Sequence, residues 1–456
     1  MLRLPVGHQP APLKQPPVSI GLTPKLCCLH ANICLGMLAR KALTYSHARL
    51  SSTRSIQNPL PAWFLRGGTS KGIFLKEADL PQDRSEWGPI FRGIMGSPDA
   101  EYGRQLNGMG GGVSSLSKIC VVGHPSEEQK AAQDVDVTYT FVQIGIRDSE
   151  VDYSGNCGNL SSMIGVFALD NDLCSPRLNS GADNTTATVR SYNTNTDKII
   201  ETTFPVEPSN DIVTPVLDAP QATIAGVPGQ ASKIVLDFVH PGGARTGKLL
   251  PDSLPISSLT FDYDGTKLCT IKASLVDATN PSIFITQAEL LTLSRSILGP
   301  DFEKLSAIDI DDSRVLALLD LIRKSGAAAM GLDPNAQAQP KIAVLSSPSQ
   351  DEIDAGVDLV IRALSMGVPH KAIPMTVGLC LGVASGIEGT NAWEVVRESR
   401  QRRDIHATDI GRDYLITMKH PGGLVDVGAK IGADGEIISA SVVRTGRRLM
   451  KGHVWW

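Results

Sequence analysis

The sequence predicts an α+β protein in which sheet wraps helix. Three features carry that reading: many short β-branched and aromatic runs punctuated by glycine, few helical periodicities between them, and a pattern that restarts part-way along the chain. In the first half, residues 62–65, 72–75, 117–122 and 135–146 read as strands. One helix follows over 159–169, where Leu160, Met163, Ile164 and Phe167 recur on one face. The pattern then restarts with strands at 185–189, 198–206, 233–238, 268–275 and 282–286, followed by helices at 287–298 and 313–325. A strand at 341–345 precedes an expected helix over 351–365, and the apolar stretch 378–385 is a buried helix by its length. Strands at 414–418, 425–431 and 437–443 close the chain. HPGG occurs at 240–243 and again at 420–423, a short echo consistent either with duplication or with two unrelated turns.

The composition is that of a globular protein behind an address label. Of 456 residues, 42% are hydrophobic and 20% charged, and the net charge of -4 gives no electrostatic footprint for nucleic acid. No apolar run reaches the ~18 residues a membrane span needs. The first acid is Glu77, and before it Arg3, Lys14, Lys25, Arg40, Lys41, Arg49 and Arg54 stand among serines, prolines and small residues. Residues 1–58 therefore read as a mitochondrial matrix leader, with a disordered basic tail on a cytoplasmic protein as the alternative. Eight cysteines lack any C-x-x-C spacing, which argues against a disulfide framework and a structural zinc site.

Chemistry concentrates in three stretches. RGGTSKG at 66–72 sets Arg66, Thr69 and Ser70 around a glycine pair, a grouping that can hold a carboxylate or phosphate or can simply be a hairpin turn. NGMGGGVSSLSK at 107–118 crowds four glycines and three serines before one lysine. That density suggests main chain approaching another object. Neither stretch has the Walker A spacing. Ser115 and Lys118 match S-x-x-K, but its partner motifs are missing and a strand-prone run follows. Lys118 lies between a glycine turn and Ile119-Cys120-Val121-Val122, where loss of water makes an amine usable as a base. In SGNCGN at 154–159, Cys157 stands at a helix start, where the macrodipole favours a thiolate, with Asn156 or Asn159 as the cap. A capped turn with a buried thiol is the bland alternative. In the second half, HKAIPMT at 370–376 leads into an apolar helix in the same way, so Thr376 could stand where Cys157 stands, and Cys380 reads as core. Asn280, Met330, Arg245 and Lys248 are further candidate contacts.

Taken in order, RGGTSKG, NGMGGGVSSLSK, DVDVTYTFVQIGI, NCGNLSS, FVHPGGARTGKLLP, LVDATNP, GVPHKAIPMT and RTGRRLMKG resemble the PrpF family, which includes 2-methylaconitate cis-trans isomerases, methylitaconate isomerases and aconitate isomerases. The resemblance runs from about Pro61 to the C-terminus. It implies a diaminopimelate-epimerase-like fold: two pseudo-symmetric domains, each a sheet curled round a central helix, with the site between them. The implied domains are 59–183 and 184–445, with 446–456 returning to the first. It also implies Lys118 as the base and Cys157 beside the substrate. Arg66, Thr69, Ser70, Asn107, Gly110, Ser115, Ser117, Asn156, Gly158, Asn159, Asn280, Met330, His370 and Thr376 are the expected substrate contacts. Gly446 departs from the alanine common in relatives, without consequence for catalysis. The expected partner is a small polycarboxylate, with no metal or organic cofactor, no nucleic acid and no membrane. The number of copies, a homo-oligomer included, is left open. An amino-acid epimerase and a noncatalytic carboxylate-binding protein remain as alternatives. Thr376 in place of a second cysteine argues against the first, and the presence of both Lys118 and Cys157 against the second.

Overall fold

The structure, a computed structural model, describes residues 57–456 except 182–184, 210–211, 266 and 404–412. All but the last two residues of the expected leader at 1–58 lie outside them. Hairpins and crossovers then follow in an order that repeats. Strand Leu60–Gly67 is antiparallel to Ser70–Lys76, which runs parallel to Lys118–Gly123. The next steps are antiparallel to Val137–Ile144, parallel to Thr185–Asn193, and antiparallel twice, to Lys198–Ser209 and Ile234–Val239. The second half traces the same series through Leu268–Ala278, Asn280–Thr286, Lys341–Ser346, Leu359–Ser365, Asp413–His420, Gly423–Ile431 and Ile437–Arg444. Ile234–Val239 pairs with Ile437–Arg444, so the final strands of the two series join the halves into one sheet. This duplication is in the topology, and the HPGG echo does not mark it. His240 is exposed with φ +46° after the seventh strand of its half, whereas His420 is buried at the end of the fifth.

Each half places a helix between its fourth and fifth strands. Gly158–Ser161 and Ile164–Asp170 form the first, Met375–Ala384 the second. Sheet surrounds both, burying 160–169 and 377–384 on every side, and their residues share one core cluster that includes Leu160, Phe167, Leu379 and Leu381. The first helix is broken at Ser162 and Met163, where Ser162 Oγ donates to the Asn159 carbonyl at 2.7 Å and Ser161 Oγ to the Cys157 carbonyl at 3.1 Å. Hydroxyls that bond helix carbonyls in this way bend or interrupt a helix. The first helix touches strands Thr185–Asn193, Lys198–Ser209 and Ile212–Pro215, so its wrapping runs past the boundary expected at 183/184. Gly446–Val454 lies antiparallel against Leu60–Gly67.

Outside this layer, helix Trp87–Met95 packs on the first half, and Gln287–Ile297 and Ser313–Ala329 pack on the second. The helix expected over 351–365 is corrected. Gln350–Asp354 is one short helix, Gly356 turns the chain at φ +92°, and Leu359–Ser365 is a strand between two neighbours. Asp358 anchors that turn with bonds from Arg400 and Arg403.

Candidate active site

The turn Gly67-Gly68-Thr69-Ser70 closes over the start of the first central helix. A Cβ on Gly67 would stand 2.2 Å from the Asn159 carbonyl oxygen, and one on Gly68, at φ +49°, 2.4 Å from Asn159 Oδ1. Glycine is what lets the hairpin come this close. Asn159 Nδ2 then donates to Thr69 Oγ1 at 3.1 Å and Ser70 Oγ at 3.4 Å, and Cys157 Sγ lies 3.8 Å from Ser70 Oγ. Neither asparagine caps the helix as expected. Cys157 itself holds the cap position without a side-chain bond, while Asn156 Nδ2 donates to the Tyr139 hydroxyl at 2.9 Å. Burial holds the Tyr139 phenol well above its ordinary range.

Lys118 opens the parallel strand beside this turn. Alternation along the strand sets Lys118 on the side of Cys120 and Val122, which pack around the first helix, while Ile119 and Val121 face the outer cluster. Its side chain is 9% exposed. Nζ donates to Gln143 Oε1 at 2.5 Å and sits 5.0 Å from the centre of the Phe141 ring. Among the described residues no carboxylate pairs with it. In the duplicated half, Lys341 opens the corresponding strand and makes the corresponding cross-strand bond, Nζ to Ser365 Oγ at 3.0 Å.

The glycine run before Lys118 wraps the chain's own Gln105. A Cβ on Gly110 would meet Gln105 Oε1 at 2.4 Å, and Gln105 Oε1 accepts from Gly112 N at 3.0 Å and Ser117 Oγ at 2.6 Å. Ser117 is fully buried on that bond, and Gly110 is half-buried against the same side chain. Ser115 lies in the turn Ser114–Leu116, so no helix spans S-x-x-K, and Asn107 is exposed on the loop.

The second half meets the first at its own helix start. A Cβ on Gly158 would stand 2.1 Å from Met375 Sδ. Thr376 is exposed, and its carbonyl accepts from Thr279 Oγ1 at 3.0 Å. His370 lies in the preceding turn, with Nδ1 accepting from Ala372 N at 3.1 Å. Asn280 is buried and tied to Gln339 and the Pro281 carbonyl. Two expected contacts have other surroundings among the described residues. Met330 belongs to the outer core of the second half with Leu318, Leu319 and Ile322. Arg66 extends from the outer side of its strand, whose inner positions are Trp63 and Leu65. Its Nη1 donates to the Gly68 carbonyl at 2.9 Å and to Thr445 at 3.1 Å, and it lines a cavity of about 830 Å³ with Arg447 and Gln230, not with Ser70, Lys118 or Cys157.

Two residues at the site were not singled out from the sequence. Arg444, 7% exposed at the end of its strand, donates from Nε to Asn159 Oδ1 at 3.0 Å and from Nη1 to the Val443 carbonyl at 2.8 Å. Burial lowers its pKa to about 10, with Cys157 opposing that shift. His420, also buried, accepts at Nδ1 from Gly422 N at 3.0 Å, and burial, then Arg444 and His370, hold it below the ordinary histidine value. The signals were present in RTGRR and the second HPGG, though both motifs also read as strand end and turn.

Residues 57–456 match the family model described as PrpF protein. The chain belongs to the PrpF family. It is 33% identical to the 3-methylitaconate isomerase of Eubacterium barkeri, with 88% of this chain and 98% of the relative covered. It is also 33% identical to the 2-methyl-aconitate isomerase of Shewanella oneidensis, over 87% and 97%. The crystal structure of methylitaconate-delta-isomerase superposes with a TM-score of 0.69 at 31% identity, covering 88% of this chain and 96% of that one. In this PrpF protein the other thiols of the sheet and helices are shut away. Burial raises Cys120 well above its ordinary range and Cys380 to about 12, and Cys380 Sγ donates to the Val276 carbonyl at 3.4 Å. Cys157 is half-buried at the helix start.

Proposed function

We propose that this PrpF protein is a cofactor-independent isomerase of an unsaturated polycarboxylic acid of the aconitate, methylaconitate or methylitaconate kind, with Lys118 taking and returning the proton. The observation that carries the reading is a buried lysine, unpaired with any carboxylate among the described residues, on the sheet face turned toward the helix that Cys157 opens. The names of the relatives support the substrate class. The Lys118 amine removes a proton from the carbon next to the conjugated system, and the electron pair of that C–H bond spreads into a dienolate. Return of the proton to another carbon shifts the double bond, and return after rotation exchanges cis and trans. Thr69 and Ser70 hydroxyls hold the carboxylates, and Cys157, beside the reacting carbons, assists Lys118 as a second proton-transfer group. A two-thiol racemase mechanism is disfavoured because Thr376 occupies the second helix start.

The test is incubation of the purified protein with cis-aconitate, 2-methylaconitate and methylitaconate in deuterated water, followed by NMR. A new isomer carrying deuterium at the reprotonated carbon is expected from at least one acid. Recovery of all three unchanged and unlabelled rejects the reading. The basic, acid-free leader supports import into mitochondria as part of the same proposal, tested by the position of the mature N-terminus.

A further inference from the structure

Beside Lys118, the site holds a second buried cation, Arg444. A buried guanidinium without an anion is costly, and native folds ordinarily pair it. Among the described residues no carboxylate lies within ion-pair distance of Arg444, and its two recorded acceptors are a neutral amide oxygen and a backbone carbonyl. Nη2 has no hydrogen-bond acceptor among the described residues. The neighbouring imidazoles supply no counter-charge either. Nδ1 of His420 and of His370 each accepts a backbone N–H two residues further on, which leaves Nε2 of each ring as a donor. The two turns are packed together, since a Cβ on Gly422 would meet His420 Cε1 at 3.1 Å and the Lys371 carbonyl at 3.3 Å. Arg444 is held in place by Asn159, the same side chain that holds Thr69 and Ser70 against Cys157.

We infer that Arg444 is a substrate-binding residue that receives one carboxylate of the acid through its free Nη2, and so makes the site selective for a charged carboxylate at that position. The inference rests on the proposed function for the identity of the acid. A clamp of this kind discriminates an acid from its uncharged ester, because the ester leaves the buried cation unmatched.

The experiment measures binding of tricarballylate, a saturated tricarboxylate without a double bond to shift, by calorimetry to the parent, Arg444→Gln, Arg444→Lys and Arg447→Gln proteins. Turnover of cis-aconitate and its monomethyl esters is measured alongside. Expected results are a loss of binding on the order of 10- to 100-fold in Arg444→Gln, a smaller loss in Arg444→Lys, and parent-like binding in Arg447→Gln, whose arginine lies on the outer cavity. The preference for acid over one of the esters should fall in both Arg444 variants. If Arg444→Gln does not fold, the Lys variant decides, because it keeps the charge and loses the fork. Parent-like binding and parent-like acid preference in the Arg444 variants overturn the clamp while leaving an active isomerase intact. A parent that binds tricarballylate through Arg444 yet isomerises no acid upholds the clamp and overturns the proposed reaction. A parent that binds no polycarboxylate overturns the clamp.

Discussion

The substitution Gly67→Ala puts one methyl group where the structure has no room for it. Its Cβ would lie 2.2 Å from the Asn159 carbonyl oxygen and 2.7 Å from Ser162 Oγ, whereas ordinary contact begins at 3.4 Å. The obstacle is backbone, so no rotamer change relieves it. Hairpin and helix start must separate by up to 1.2 Å, the difference between 3.4 and 2.2 Å. That shift exceeds the slack in the bond from Asn159 to Thr69, now 3.1 Å, and moves Ser70 away from Cys157. Overpacking of this sort costs about 1–3 kcal/mol of stability. A displacement near 1 Å at a reacting centre costs on the order of 100-fold in rate. Calorimetric melting and NMR-monitored isomerisation of the best acid substrate should therefore both change, with kcat/KM the more affected. Parent-like turnover in Gly67→Ala would show that the hairpin does not set the geometry of the site, and would refute the reasoning.

Three further outcomes are expected. Cys157→Ser should keep tricarballylate affinity within a few-fold of the parent while kcat falls on the order of 100-fold or more, since proton-transfer groups contribute at that scale; unchanged kcat would make the cysteine a mere wall. Arg66→Gln should leave kcat/KM within about threefold, as its guanidinium faces the outer cavity, and a change of the size usual for a buried charged hydrogen bond would return it to the site. His420 is held below its ordinary value of 6.5, so the unfolded chain takes up the proton first as pH falls. Its contribution to stability is complete above about pH 6.5 and declines below. The drop in Tm between pH 7.5 and pH 5.5 should be smaller in His420→Gln than in the parent, and an equal drop would assign the slope to other groups.

The parts legible in the sequence were those decided by local pattern. Alternation around Ile119–Val122 and the apolar steps from Leu160 to Phe167 give a strand and a buried helix, and the NCGN turn does stand at that helix start. Long-range packing decided the rest. Gln105 fills the glycine run, a partnership no spacing rule announces because the run looks equally suited to a ligand. Arg66 was expected at the site from its neighbours in RGGTSKG, but period two along a strand places it on the opposite face from Gly67. The expected helix at 351–365 failed because a single left-handed Gly356 separates helical from extended residues of similar polarity. Arg444 lies far from Asn159 in sequence and reaches it only because the last strands of the halves pair.

The central claim is that Lys118 carries the proton, and label transfer tests it most directly. Parent and Lys118→Ala proteins, matched in melting temperature and tricarballylate affinity, are incubated with the preferred acid in deuterated water, and deuterium in the recovered acid is followed by NMR. The account expects exchange and isomerisation to fall together by at least about 100-fold in the variant. Deuterium entering the acid at the parent rate in Lys118→Ala would contradict it.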